Sequence, residues 1–139
     1  APNAYVNFDI PENSLVVGTS NKSELLLGYG TIFGDIACAI NPIGDIYKSD
    51  LFELAKYLGV NDSILKKAPS ADFYEGQSDE ADLGYSYSKI DSLLKKMIDE
   101  NRSKDELLAL GFEDEFIETI KKRVKINEFK RRLPIVAKI

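Results

Sequence analysis

The sequence contains no histidine in 139 residues. That absence excludes a Ser-His-Asp relay, a Cys-His nucleophile and His-ligated zinc. Any chemistry must therefore rest on carboxylates, lysine, arginine, hydroxyls, backbone dipoles and a hard metal. A single cysteine, Cys38, excludes an internal disulfide framework. No apolar run approaches the ~20 residues of a membrane span. Ala1-Pro2-Asn3-Ala4 lacks the basic-then-apolar order of a signal peptide, so a cytoplasmic protein with no membrane contact is expected. What remains is an ordinary globular composition, 44% hydrophobic and 29% charged. A chain of this length can bury about two thirds of its unfolded surface in one domain.

The net charge of −5 is unevenly placed. Residues 119–139 hold eight Lys or Arg against one acid, Glu128, so this tail carries +7 and the remainder −12. An acidic body repels a phosphate backbone, and no aromatics interleave with the bases, so no nucleic acid is expected as a partner. A local anion site for one small phosphorylated ligand fits the polarity better.

Tyr5 to Ile10 alternates apolar and polar residues, a weak strand signal closed by Pro11. Ser14 to Thr19 is a stronger one, a short apolar run ending in Gly-Thr-Ser, as in a buried parallel strand feeding a turn. A helix over 22–27 follows, with Asn21-x-x-Glu24 as a capping box and Gly28 as its stop. Residues 28–45 hold four glycines and Pro42 and read as a functional loop. Residues 49–58 predict an amphipathic helix with Leu51, Phe52, Leu54, Ala55 and Leu58 on one side. Residues 63–67 add a helical turn. Residues 68–84 show no period and hold Glu75, Asp79, Glu80 and Asp82, which reads as a second long, mobile loop. Ile90, Leu93, Leu94, Met97 and Ile98 form an apolar helical stripe. Ser103-x-x-Glu106 with Gly111 bounds a short helix, and Phe116, Ile117, Ile120 and Val124 mark another before Pro134.

A strand end in Gly-Thr-Ser beside a helix start offers free N–H groups and the hydroxyls of Thr19 and Ser20, a nucleotide or phosphate edge. Glu24 is either the partner of Asn21 in the capping box or a magnesium ligand. Lys48, at a helix start where a cation is unfavourable, is either simply exposed or placed for an anion. Ser70 and Asp72 suit loop turns. Gly28-x-Gly30-x-x-x-Gly34 follows a helix where a dinucleotide fingerprint would follow a strand, and Cys38 reads as a small buried side chain.

Taken in order, these segments resemble the C-terminal half of ammonia-dependent NAD synthetase, an N-type ATP pyrophosphatase family, in the form found in Campylobacter and Helicobacter. The segments are Gly18-Thr19-Ser20-Asn21-Lys22-Ser23-Glu24, Gly28-Tyr29-Gly30-Thr31 with Phe33-Gly34-Asp35, and Ile40-Asn41-Pro42-Ile43-Gly44-Asp45-Ile46-Tyr47-Lys48. Ala68-Pro69-Ser70-Ala71-Asp72, Gln77-Ser78-Asp79-Glu80 with Leu83-Gly84, and Lys130-Arg131-Arg132-Leu133-Pro134 continue the likeness, which runs from Leu15 onward; residues 1–14 do not match it.

The resemblance implies attack by the carboxylate of deamido-NAD on the α-phosphate of ATP, release of pyrophosphate, and displacement of AMP by ammonia. By matching position, Thr19, Lys48 and Ser70 would bind ATP, Glu24 would hold Mg2+, and Lys130 and Asp35 would meet deamido-NAD. It singles out no catalytic side chain. It further implies an α/β fold, a Rossmann-like parallel sheet flanked by helices, a homodimer, and a segment around Asp79 and Glu80 that closes over the nucleotide. Ile32, Ala39 and Phe129 depart from the family's lysine, aspartate and histidine. The family's Ser-Gly-Gly-x-Asp-Ser phosphate loop lies outside these 139 residues, and activity of the 139 residues alone would lack that cradle. The alternatives are another ATP pyrophosphatase such as GMP synthetase, which Pro-Ser-Ala-Asp and Lys-Arg-Arg-Leu-Pro argue against, or a non-catalytic helical dimerisation module.

Overall fold

Four buried side chains of one helix face and four of its neighbour build most of the core. A computed structural model describes residues 14–67, 79–132 and 136–137, apart from the side chain of Glu80. The expected strand over 5–10, Ser70, Asp72, residues 68–78 and Pro134 lie outside the described residues. Among those described, the helices are α1 (Lys22–Leu27), α2 (Lys48–Tyr57), α3 (Asp62–Leu65), α4 (Asp79–Leu83), α5 (Tyr87–Leu94), α6 (Lys104–Ala109) and α7 (Asp114–Ile126). A π-helical turn, Lys95–Asp99, prolongs α5, and a 3-10 turn, Glu128–Arg131, follows α7.

The core joins Tyr87, Ile90, Leu93 and Leu94 of α5 to Phe116, Ile117, Ile120 and Val124 of α7, with Leu26 and Leu27 of α1, Leu83 of α4 and Leu107 of α6. Phe116 meets the ring of Tyr85 at 4.5 Å between centroids, the tilted contact that aromatic pairs favour. The capping signals hold. Asn21 and Glu24 form the reciprocal box at α1, as do Ser103 and Glu106 at α6. Gly28 closes α1 in the left-handed region at φ 67°.

Several expectations are corrected. The segment 14–19 is not a laddered strand among the described residues: its one pairing is a parallel bridge, Val17 with Ile40. A strand needs partners along its length, and here Leu15, Val16, Val17 and Ile40 all stay about half exposed or more. Residues 79–83 form a helix, α4, where a loop was expected. Docking of Leu83 in the core and bonds from tyrosines to Asp79 and Asp82 supply what local periodicity lacks. Ile98 leaves the stripe of α5 because i→i+5 bonding, Glu100 N to Lys95 O at 3.0 Å, widens the turn and rotates it outward. The face of α2 is half-buried, and Leu58 is exposed. Cys38 is half-buried beside Gly18, where an added Cβ would overlap its sulfur.

Candidate functional site

Two helix N-termini converge at the centre of the expected site. Lys48, the first residue of α2, reaches Glu24 in the first turn of α1, Nζ to Oε1 at 2.9 Å. Both side chains are largely covered, 19% and 16% exposed, so this is no loose surface pair. The other oxygen of Glu24 accepts from Asn21 N at 3.0 Å. Glu24 is thus cap and ion-pair partner at once, as the capping-box reading expected for its bond to Asn21. The ammonium of Lys48 also stands over the ring of Tyr87, 5.5 Å from its centroid.

Around this pair the phenols act as donors. Tyr87 donates to Asp79 at 3.3 Å and Tyr29 to Asp82 at 2.9 Å. Burial raises the pKa of Tyr87, and the charges of Asp79 and then Glu24 raise it further. Burial likewise raises Tyr29, seconded by its bond to Asp82. Both therefore stay protonated across the physiological range and tie α4 to the rest of the site.

Thr19 is exposed on the approach to α1, two residues before its N-cap. Asp35 is exposed in the glycine-rich loop, where Oδ1 accepts from Thr31 N at 2.7 Å. The loop returns to the Gly-Thr-Ser segment through Ser20 Oγ, which donates to the Asp35 carbonyl at 3.5 Å. Lys130 lies at the opposite end of α1. Its ammonium donates to the carbonyls of Gly28 and Gly30 at 2.7 and 2.9 Å, which leaves one of its three donors for anything else. The structure therefore brings Glu24 and Lys48 together at the first turn of α1 and places Lys130 at its other end.

Sequence reasoning missed the clamp that holds that far end. Arg123 of α7 and Asn127, the residue that caps its end, both donate to the Leu27 carbonyl, at 3.3 and 3.1 Å. Arg131 donates to the carbonyls of Leu25, Leu26 and Val124. The carbonyls of Leu25, Leu26 and Leu27 are those of the last turn of α1, met by two arginines and an amide at the negative pole of its dipole. The signal was present in the basic run of the tail, which charge counting alone assigned to a ligand. Asp91, 1% exposed on α5, was also missed. An acid inside an apolar helical stripe was its only sign.

Among the described residues no three Cys, Asp or Glu side chains gather as a metal cage. Glu24 nonetheless suits a magnesium ion of the kind held by one carboxylate, phosphates and water, because each of its oxygens keeps a free lone pair. No helix among the described residues is long and apolar enough to cross a membrane.

The structure sets a Gly-Thr-Ser segment and the Lys48–Glu24 pair beside the starts of α1 and α2, and comparison with known proteins identifies the family. The NAD synthase family model matches residues 3–134, and the chain belongs to that family. It is 54% identical over 133 residues to the NH3-dependent NAD+ synthetase of Wolinella succinogenes, covering 96% of this chain and 52% of that protein. Among solved structures it is similar to the NH3-dependent NAD synthetase of Campylobacter jejuni, with TM-score 0.69 and 45% identity over 91% of this chain and 46% of the other. It also resembles the NMN synthetase of Francisella tularensis, with TM-score 0.74 and 35% identity over 91% and 48%. The chain thus spans about half the length of these relatives.

Proposed function

We propose that this chain supplies the ATP side and part of the substrate side of an ammonia-dependent NAD synthetase. The deamido-NAD carboxylate attacks the α-phosphorus of ATP and pyrophosphate leaves. Ammonia then displaces AMP from the acyl-adenylate, losing a proton as the amide forms. Such in-line chemistry rests on positioning and charge neutralisation, which a chain without histidine can provide. Thr19 and Ser70 contact ATP, Lys48 binds its phosphates, Glu24 holds Mg2+, and Lys130 and Asp35 meet deamido-NAD. Magnesium, when bound, neutralises polyphosphate charge.

The observation that carries this reading, beside family membership, is the covered Lys48–Glu24 pair at two helix N-termini. A metal-bound phosphate offers each member a new partner of the sign it already has, a cation for Glu24 and an anion for Lys48. The parallel bridge at Val17 and the exposed Leu15, Val16, Val17 and Ile40 support a place for this segment in a Rossmann-like parallel sheet of an α/β domain. This chain is the C-terminal portion of that single domain, in a cytoplasmic homodimer; the family match begins at residue 3, so residues 3–14, expected to fall outside the likeness, belong to it.

The test is pyrophosphate release by the full-length protein with ATP, Mg2+, deamido-NAD and ammonium, each omitted in turn. Release that needs deamido-NAD and falls in Lys48→Ala is expected; release indifferent to either refutes the reading. The likeness to the Francisella NMN synthetase favours a second substrate, so nicotinate mononucleotide is the competing arm. Faster release with the mononucleotide would reassign the substrate while keeping the reaction.

A further inference from the structure

Asp91 has no part in the reaction just described, yet it is buried, with Ile90, Leu93 and Leu94 of the same helix fully enclosed around it. A carboxylate persists in such surroundings only where donors satisfy it. Both its oxygens are used: Oδ1 accepts from Ser23 Oγ at 2.5 Å and Oδ2 from Ser49 N at 2.8 Å. Ser23 Oγ in turn accepts from Lys48 N at 2.9 Å.

These bonds answer a deficit. The N-cap residue of α2 is Tyr47, which offers no side-chain acceptor to the helix. The first amides of α2, those of Lys48 and Ser49, are met from outside, by Ser23 of α1 and Asp91 of α5. Capping by a distant residue fixes where the helix begins as well as satisfying its donors. Lys48 is the residue whose amide is held, and Glu24 is the neighbour of Ser23. One chain of hydrogen bonds therefore fixes the backbone of both members of the ion pair. One turn before Asp91 on α5, Tyr87 presents its ring to the Lys48 ammonium.

We propose that Asp91 is a positioning residue: through Ser23 it sets the spacing of Glu24 and Lys48, and so the gap in which a metal-bound polyphosphate is received. This rests on the reading of Glu24 and Lys48 given above. A merely structural carboxylate would alter stability and leave the pair's geometry and ligand affinity alone.

Two readouts on the full-length protein separate the cases, with Asp91→Asn, which keeps the shape, and Ser23→Ala, which removes the relay. Circular dichroism verifies the fold of each. The first readout is the acylation rate of the Lys48 amine without nucleotide, followed by mass spectrometry against Lys66, which is exposed on α3's flank. Both variants are expected to raise Lys48 labelling severalfold and leave Lys66 unchanged. The second is MgATP affinity by calorimetry. Asp91→Asn is expected to weaken it about tenfold, the factor 1.4 kcal/mol represents, and to cause no further loss in a Lys48→Ala background. Unchanged Lys48 labelling in folded variants overturns the positioning role. Losses that simply add in the double variant overturn it as well. A Lys48→Ala protein with undiminished MgATP affinity refutes the reading of the site instead, and the labelling result still reports separately on Asp91.

Discussion

Replacing Gly28 by alanine tests whether the far end of α1 is held as tightly as the geometry indicates. Gly28 sits at φ 67°, where a side chain is strained, and an added Cβ would overlap Cβ and Cγ of Asn127. The left-handed conformation costs a non-glycine residue about 1–2 kcal/mol. To make room, Asn127 must move, and its amide then loses its bonds to the Leu27 and Arg123 carbonyls, each worth about 1 kcal/mol. The expected destabilisation is therefore about 3–4 kcal/mol. Gly111 provides the control. It stands at φ 90° with nothing within 4 Å of the added atom, so alanine there meets the conformational cost alone, about 1–2 kcal/mol. Urea unfolding of the two variants, with unchanged m-values, measures the difference. Equal losses at Gly28 and Gly111 would show that Asn127 yields freely and that the clamp on α1 contributes nothing.

Arg131→Ala, which removes the guanidinium from three carbonyls, of which Leu25 keeps the Gly28 amide, is expected to cost about 2 kcal/mol. Arg132→Ala, which loses only an exposed pair with Glu128, should cost less than about 0.5 kcal/mol by the same unfolding assay. The Glu106 carboxyl, held by the Ser103 amide and then by Arg102, is lowered from 4.5 to about 2. A depressed acid stabilises the fold fully above its ordinary value and loses that contribution as pH falls towards 2. Carbon-detected NMR titration should find Glu106 charged at pH 3.5, roughly one unit below the usual glutamate value, and a Glu106 that titrates with the exposed glutamates would refute the capping box at α6.

What could be read from the sequence was local. The capping boxes at Asn21 and Ser103 name their own partners three residues on, so no tertiary knowledge is needed to find them. The stripe of α5 likewise follows from spacing, until the π turn changes the period after Leu94. What could not be read depends on partners far along the chain. Helix α4 has no period of its own and is fixed by Tyr29 and Tyr87, the former 53 residues away from Asp82. Lys48 and Glu24 were each singled out, but their contact across 24 residues was not deducible from either neighbourhood. The basic tail shows the same limit. Its charge was legible, yet Arg123, Lys130 and Arg131 spend it on carbonyls of α1 and the loop behind it.

Helix α1 is consequently balanced at both poles, with Glu24 at its start and the tail's cations at its end, in the sense its dipole favours. Lys48 opposes the dipole of α2, and Glu24 compensates for it. On the function proposed above, this balance bears on how ATP and metal would enter. Phosphate arriving without a metal must approach Glu24, and a metal arriving without phosphate must approach Lys48. Each is repelled by one member of the pair, whereas the metal-bound polyphosphate satisfies both. Glu24→Gln removes the repulsion of free phosphate together with the metal's ligand, so two effects of opposite sign follow. Metal-free ATP, measured with chelator present, should bind the variant more tightly than it binds the native protein, by about 0.5–1 kcal/mol for a partly covered charge. The gain in affinity on adding Mg2+ should shrink at the same time. If Glu24→Gln weakens metal-free and metal-bound ATP alike, Glu24 serves only to hold Lys48 in place, and magnesium must be sought on other residues.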